Sequence, residues 1–102
     1  MQRFSNLAFN RDFPEASGMT GIPKGSMVRM DRDRANPHDR DAVGVWLEGC
    51  PADAPLGWLY RRDANRDAVL QKLDAGGEIT GYVDLRVRRK GDKPQKVVVF
   101  WL

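Results

Sequence analysis

Residues 31–43 (DRDRANPHDRDAV) gather four aspartates, three arginines and the one histidine of the chain into thirteen positions. Three kinds of chemistry suit such a stretch. Carboxylates hold divalent cations, so Asp31, Asp33, Asp39 and Asp41, with His38, form a candidate set for a small metal-dependent nuclease or phosphohydrolase. The spacing Asp31-x-Asp33 begins like a calcium loop, but the sixth position is Asn36 and the twelfth is Ala42, where such a loop needs Gly and Glu. A second possibility is structural: Asx side chains bond to nearby backbone in tight turns, and alternating Arg and Asp make a solvated lattice of ion pairs. The third is a binding loop that presents acceptors and a ring to a ligand. Pro37 restricts Asn36 to extended angles and fixes a turn at the centre of the stretch.

The elements around this loop read mainly as strands. Candidate strands cover residues 2–10, with Phe4 and Phe9 as apolar anchors, and then 27–33, 42–47 and 56–61. The stretch 42–47 is mostly apolar and reads as buried on both faces. Residues 79–89 alternate, with Val83, Leu85 and Val87 on one face and Asp84, Arg86 and Arg88 on the other. A turn at 90–95 leads into a last strand, 96–102, so the final two strands form a hairpin. One helix is expected over about 63–75, capped by Asp63, with Ala64, Ala68, Val69, Leu70 and Leu73 on its buried face and Gly76 and Gly77 ending it. About six strands with one helix between the fourth and fifth predict a mainly β protein, a small closed or half-closed barrel, which would remove exposed sheet edges.

Composition sets limits on this reading. At 102 residues the chain is expected to form a single domain, 1–102, with one core and no deep chamber for a large cofactor. One cysteine and one histidine exclude an internal disulfide and a zinc finger. Cys50 lies in a Gly/Pro-rich loop with no evident histidine partner, which argues against a catalytic thiol. The longest apolar run, 97–102, is too short to span a bilayer, and the first residues do not resemble a signal peptide, so a cytoplasmic protein is expected. The net charge of +3 divides unevenly: residues 1–54 carry 7 Lys+Arg against 8 Asp+Glu, and residues 55–102 carry 10 against 6. Arg86, Arg88 and Lys90 repeat at every second position, as a solvated face or as a track for phosphates.

The segment Asn36-Pro37-His38-Asp39-Arg40-Asp41-Ala42-Val43-Gly44-Val45 resembles the Asn-Pro-x-Asp-x-Asn-Ala-Ile-x-Val signature of the HIRAN domain family. Leu56-Gly57-Trp58-Leu59-Tyr60-Arg61 is similar to that family's Ile-Gly-Tyr-Leu-Pro-Arg strand, and residues 63–76 are similar to the helix that follows it. Upstream, residues 24–30 fit the family's Gly-x-x-Val-x-Leu strand, so the likeness runs in register over about 20–82. Asp41 stands where the family usually has Asn, His38 where Tyr is common, and Tyr60 where Pro is usual. Ser17-Gly18-Met19 offers none of the aromatic residues the family often carries before Gly21.

The resemblance implies an OB-like barrel that binds the 3′ end of single-stranded DNA without a cofactor, in DNA repair, replication or remodelling. A separate helicase, nuclease or remodelling ATPase is the implied partner. A terminal 3′-hydroxyl is a donor that internal nucleotides lack. Asp39 would accept its hydrogen bond and repel a phosphate, Asn36 would hold the loop or touch the terminal sugar, and His38 would stack on a base. Trp58 and Arg61 fall on the ligand-facing strand, suited to a base face and a phosphate. The nucleic-acid-binding set expected is therefore Asn36, His38, Asp39, Trp58, Arg61, Arg86, Arg88 and Lys90. Each residue also has a plain structural role open to it: turn bonding for Asp39, pairing with Asp39 for His38, packing for Trp46, Trp58 and Trp101. The alternatives to DNA binding are the metal-dependent hydrolase and a protein-interaction module. As a loop carboxylate, Asp39 is expected to be removable without harm to the fold.

Overall fold

In a computed structural model, residues 1–13, 22–49, 54–87 and 89–102 are described, and all statements below concern them. The chain runs β1 (Gln2–Phe9), β2 (Met27–Arg32), β3 (Val43–Leu47), β4 (Gly57–Leu59), α1 (Arg66–Asp74), β5 (Ile79–Arg86) and β6 (Gln95–Trp101). The strands close into an antiparallel barrel in the order β1-β4-β3-β2-β5-β6, with β6 returning to β1. This is the mainly β, six-stranded barrel with one helix between the fourth and fifth strands that the sequence predicts. It is consistent with an OB-like barrel.

Side-chain alternation explains the closure. Ser5 and Leu7 of β1, Val28 and Met30 of β2, Val43 and Val45 of β3, Leu59 of β4, Ile79 and Val83 of β5, and Val98 and Phe100 of β6 are all buried. Two glycines bring the walls together. A Cβ on Gly57 would strike the Ala8 carbonyl oxygen across β1, and one on Gly81 would strike the Val99 carbonyl oxygen across β6. The helix joins the core through Val69, with Leu70 and Leu73 packed beside it, and touches β2, β3 and β5. Asp67 in its first turn and Lys72 in its last suit its dipole, and Gly76, at a φ of 84°, ends it.

Several boundaries differ from the sequence reading. Phe4 and Phe9 do not anchor β1: they are 55% and 48% exposed. The outer face is the even-numbered one, and Phe9 sits at the strand end, where the barrel no longer covers it. The helix begins two residues later than expected, with Asn65 rather than Asp63 at its N-cap. Asp63 instead closes the turn before it, with Oδ1 accepting from the Asn65 N–H and the Ser5 hydroxyl. Ala64 and Ala68 are exposed, not buried. The alternation on β5 holds only to Val83; Leu85 and Val87 are exposed because the hairpin runs on past the barrel wall. The β5–β6 hairpin itself forms, with Arg86 paired to Gln95. Lys90 lies beyond the strand in the connection to β6. Arg88, Cys50 and residues 17–19 lie outside the described residues.

Candidate functional site

The connection from β2 to β3 is built by its own Asx side chains. Asp33 is buried; its Oδ1 accepts from the Ala35 N–H, and its backbone bonds to Ala42 and Asn36. Asn36 Oδ1 accepts from the N–H groups of His38 (2.8 Å) and Asp39 (3.1 Å). Asp39 Oδ1 accepts from the Asp41 N–H at 3.0 Å. Three short polar side chains thus satisfy the donors of a tight double turn, which is why the segment is so polar. Asn36 holds the loop, one of the two roles its position suggested.

Trp58 and Arg61 come from the neighbouring strand and the turn after it. The Trp58 indole N–H donates to Asp33 Oδ2 at 2.8 Å, which fixes the ring against the loop. Arg61 is exposed; its Nη2 donates to the His38 carbonyl at 3.1 Å and its Nε lies 3.5 Å from Asp39 Oδ2. The His38 ring is not paired with Asp39 in any hydrogen bond or ion pair among the described residues, and its residue is exposed. Asn36, His38, Asp39, Trp58 and Arg61 therefore meet at one end of the barrel.

Asp39 is the electrostatic centre of this group. Arg66 Nη2 lies 3.0 Å from its Oδ1 and 2.9 Å from its Oδ2. The two side chains are 20% and 10% exposed, so the pair is mostly removed from solvent but open on the carboxylate side. Burial pushes the Asp39 carboxyl up. The Asp41 N–H, the Arg66 hydrogen bond and the charges of Arg66 and Arg61 outweigh that and hold it below the usual carboxylate range. Asp39 is thus an anion at neutral pH, with acceptor capacity only. Asp39 is not a lone loop carboxylate: it bonds the Asp41 N–H and the largely buried Arg66, which argues against its removal being harmless to the fold. Without Asp39, Arg66 would keep, among the described residues, its 3.2 Å bond to the Arg61 carbonyl.

A second guanidinium ties the same loop to the far end of the helix. Arg32 bonds to Asp41 and, through Nη2, to both carboxylate oxygens of Asp74 at 2.8 and 3.0 Å. Those hydrogen bonds, Asp74 first, push the Arg32 guanidinium above its ordinary value.

The four aspartates do not converge as a metal site would require. Asp33 holds Trp58, Asp39 holds Arg66, Asp41 holds Arg32, and Asp31 faces Arg29 at 4.0 Å. Among the described residues no three His, Cys, Asp or Glu side chains come close enough to share a cation. Arg86 does not extend the loop site. It lies over the Phe4 ring, 5.1 Å from its centroid, and 3.6 Å from Asp84. Among the described residues no hydrogen bond or ion pair links Arg86 or Lys90 to the 33–42 loop.

Sequence reading missed Arg66, Asp33 as a holder of Trp58, and Arg32. Arg66 had a signal. It falls on the stripe Arg66, Val69, Leu70, Leu73, spaced i, i+3, i+4, i+7, where an apolar residue belongs. A charge on that face has to be paired with something outside the helix.

No family model matches this chain, and no curated protein does either. Among solved structures, a Lactobacillus plantarum protein from a structural genomics programme is similar over 98% of this chain and 96% of its own length, at a TM-score of 0.59 and 18% identity. That likeness shows the fold alone. No helix among the described residues is long and apolar enough to cross a membrane.

Proposed function

We propose that this chain is a non-catalytic nucleic-acid-binding module of the HIRAN type that takes the free 3′-hydroxyl end of single-stranded DNA. The observation that carries the reading is the setting of Asp39: a carboxylate bonded to the Asp41 N–H and Arg66, partly open to solvent, and flanked by exposed Arg61 and anchored Trp58. An anionic acceptor takes a hydroxyl donor and repels a phosphate placed against it. Arg61, mostly exposed, can exchange its contacts with the His38 carbonyl and Asp39 for the backbone phosphate of the terminal nucleotide, and the Trp58 and His38 rings offer faces for its base. The same reading expects a cytoplasmic protein that works beside a separate helicase, nuclease or remodelling ATPase. A hydrolytic reading has less support, because each loop carboxylate already holds a cation or an indole.

The test is fluorescence anisotropy with one oligonucleotide ending in either a 3′-hydroxyl or a 3′-phosphate. Tighter binding of the hydroxyl form is expected. Equal affinity for both would end the 3′-end reading, and no binding to any DNA or RNA would favour a protein-interaction module.

A further inference from the structure

Among the described residues, three concavities on the barrel surface would each meet a nucleic-acid strand differently. One lies beside the helix C-terminus and carries Asp31, Glu48 and Glu78 against a single Arg29, which disfavours a phosphate backbone. A second holds Arg34 and Arg40, but it has no ring in its lining, and its Arg32 is committed to Asp41 and Asp74. The third, of about 460 Å³, is lined by Asn6, Leu7, Phe9, Tyr60, Gln95 and Lys96.

This third concavity has no acidic residue in its lining and has two exposed rings, Phe9 at 48% and Tyr60 at 53%. The Lys96 ammonium sits 5.1 Å from the centroid of Phe9. Phe9 is set edge-on against the buried Phe13, with centroids 6.3 Å apart, which supports one side of the exposed ring. Asn6 and Gln95 add amides that donate and accept toward base edges. The concavity is linked to the Asp39 group through the chain. Leu7 pairs with Leu59, which brings Asn6 alongside Tyr60, and Tyr60 is joined directly to Arg61.

We infer that a single DNA strand whose 3′ end lies at Asp39 runs past Arg61 onto Tyr60 and into this concavity, where its more 5′ bases stack on Tyr60 and Phe9 and a phosphate meets Lys96. The inference rests on the 3′-end reading and adds to it a path for the rest of the strand. Rings, an ammonium and amides without carboxylates are what a sequence-tolerant single-strand groove requires. The Tyr60 ring stands where the resembled family usually has Pro, so this subsite belongs to this chain's own residues.

The experiment compares a dinucleotide with an oligothymidylate of about eight nucleotides, within the span an OB-type barrel covers, each with a 3′-hydroxyl or a 3′-phosphate. The protein is expected to bind the longer strand more tightly. Tyr60→Ala is expected to weaken the longer strand roughly fivefold to a hundredfold, the range for loss of one stacking ring, and to leave dinucleotide affinity and the hydroxyl preference unchanged. Tyr60→Phe keeps the ring and should keep the gain from length. Lys96→Ala should lower the salt slope for the longer strand by about 0.7. Because Tyr60 is exposed, its loss does not threaten the fold. If Tyr60→Ala keeps the full gain from length while the hydroxyl preference persists, the path lies elsewhere and only this inference falls. If the unaltered protein shows no hydroxyl preference, the 3′-end reading fails, and this inference with it.

Discussion

The Arg66 guanidinium, at the first residue of α1, lies 2.9 Å from Oδ2 of Asp39, in a loop 27 residues earlier in the chain. The pair joins the one helix among the described residues to the one connection that carries dense polar chemistry. Together with the Asp41 N–H it favours the ionised form of the group on which the functional reading depends. Removing either member leaves the other short of a partner in a place where water replaces it poorly.

Asp39→Ala should therefore lower stability as well as end binding, by about 1–3 kcal/mol, the range for stranding a largely buried hydrogen-bonded group. Urea unfolding checks this. Asp39→Asn keeps the shape and the Asp41 N–H bond but drops the charge. It should cost less and should reduce the preference for 3′-hydroxyl over 3′-phosphate, because the repulsion of the phosphate is gone.

The pH dependence follows from the lowered titration of Asp39. A carboxylate that titrates lower in the folded chain than in the unfolded one stabilises the fold fully above its ordinary value near 3.9. That contribution disappears as pH falls from there through the lowered folded value. The stability difference between the unaltered protein and Asp39→Asn should be constant from pH 7 to about 5 and shrink below about 4. Unfolding curves across that range measure it. A difference that instead grew on acidification would contradict the pairing.

Trp58→Phe retains a ring but removes the indole N–H that satisfies Asp33 Oδ2. A cost of about 1–2 kcal/mol is expected, since a buried acceptor loses its donor. If the ring is a base platform, single-strand affinity should fall much less in Trp58→Phe than in Trp58→Ala, as anisotropy would show.

Gly57→Ala and Gly44→Ala should differ in severity. At Gly57 a Cβ meets the Ala8 carbonyl oxygen, so β1 and β4 must separate beside Trp58; at Gly44 it meets the far end of the Trp46 ring, which can turn aside. A thermal melt should show Gly57→Ala losing about 2–4 kcal/mol and Gly44→Ala distinctly less. Turning the Trp46 ring also breaks its stack with Arg29, now 5.2 Å from the ring centroid.

With about three phosphates contacted, the logarithm of the binding constant should fall against the logarithm of salt with a slope near −2. A flat response would remove the electrostatic contribution of Arg61 and its neighbours.

The barrel was legible because strand periodicity and turn residues are local signals. Alternation through Ile79–Val83 and the apolar run Val43–Val45 mark barrel walls without knowledge of the partner strands. The error at β1 was also visible: Phe4 and Phe9 are five residues apart, and an odd spacing places them on opposite faces of a strand. The inner positions fell to Ser5 and Leu7, and the small, hydrogen-bonded Ser5 gives no apolar signal. The loop residues were found as a cluster, but not their partners. Arg66 lies 27 residues away from Asp39 and Trp58 lies 25 from Asp33, and such pairings follow from closure of the barrel rather than from any local pattern. Arg86 and Lys90 fit a phosphate track only on a strand that extends to 89; the strand stops at Arg86, whose guanidinium lies over Phe4.

The loop's two ties to the helix fix its length. Arg66 at the first residue of α1 holds Asp39, and Asp74 at its last residue is bridged by Arg32 to Asp41. Nine helical residues span about 12 Å between those anchors, so the helix acts as a ruler laid along the connection. One residue inserted or deleted between Arg32 and Asp41 is expected to strain these ties, which a urea-unfolding comparison would register as lost stability. In homologous chains the segment should therefore vary in residue type far more freely than in number of residues, unlike most surface connections of its exposure.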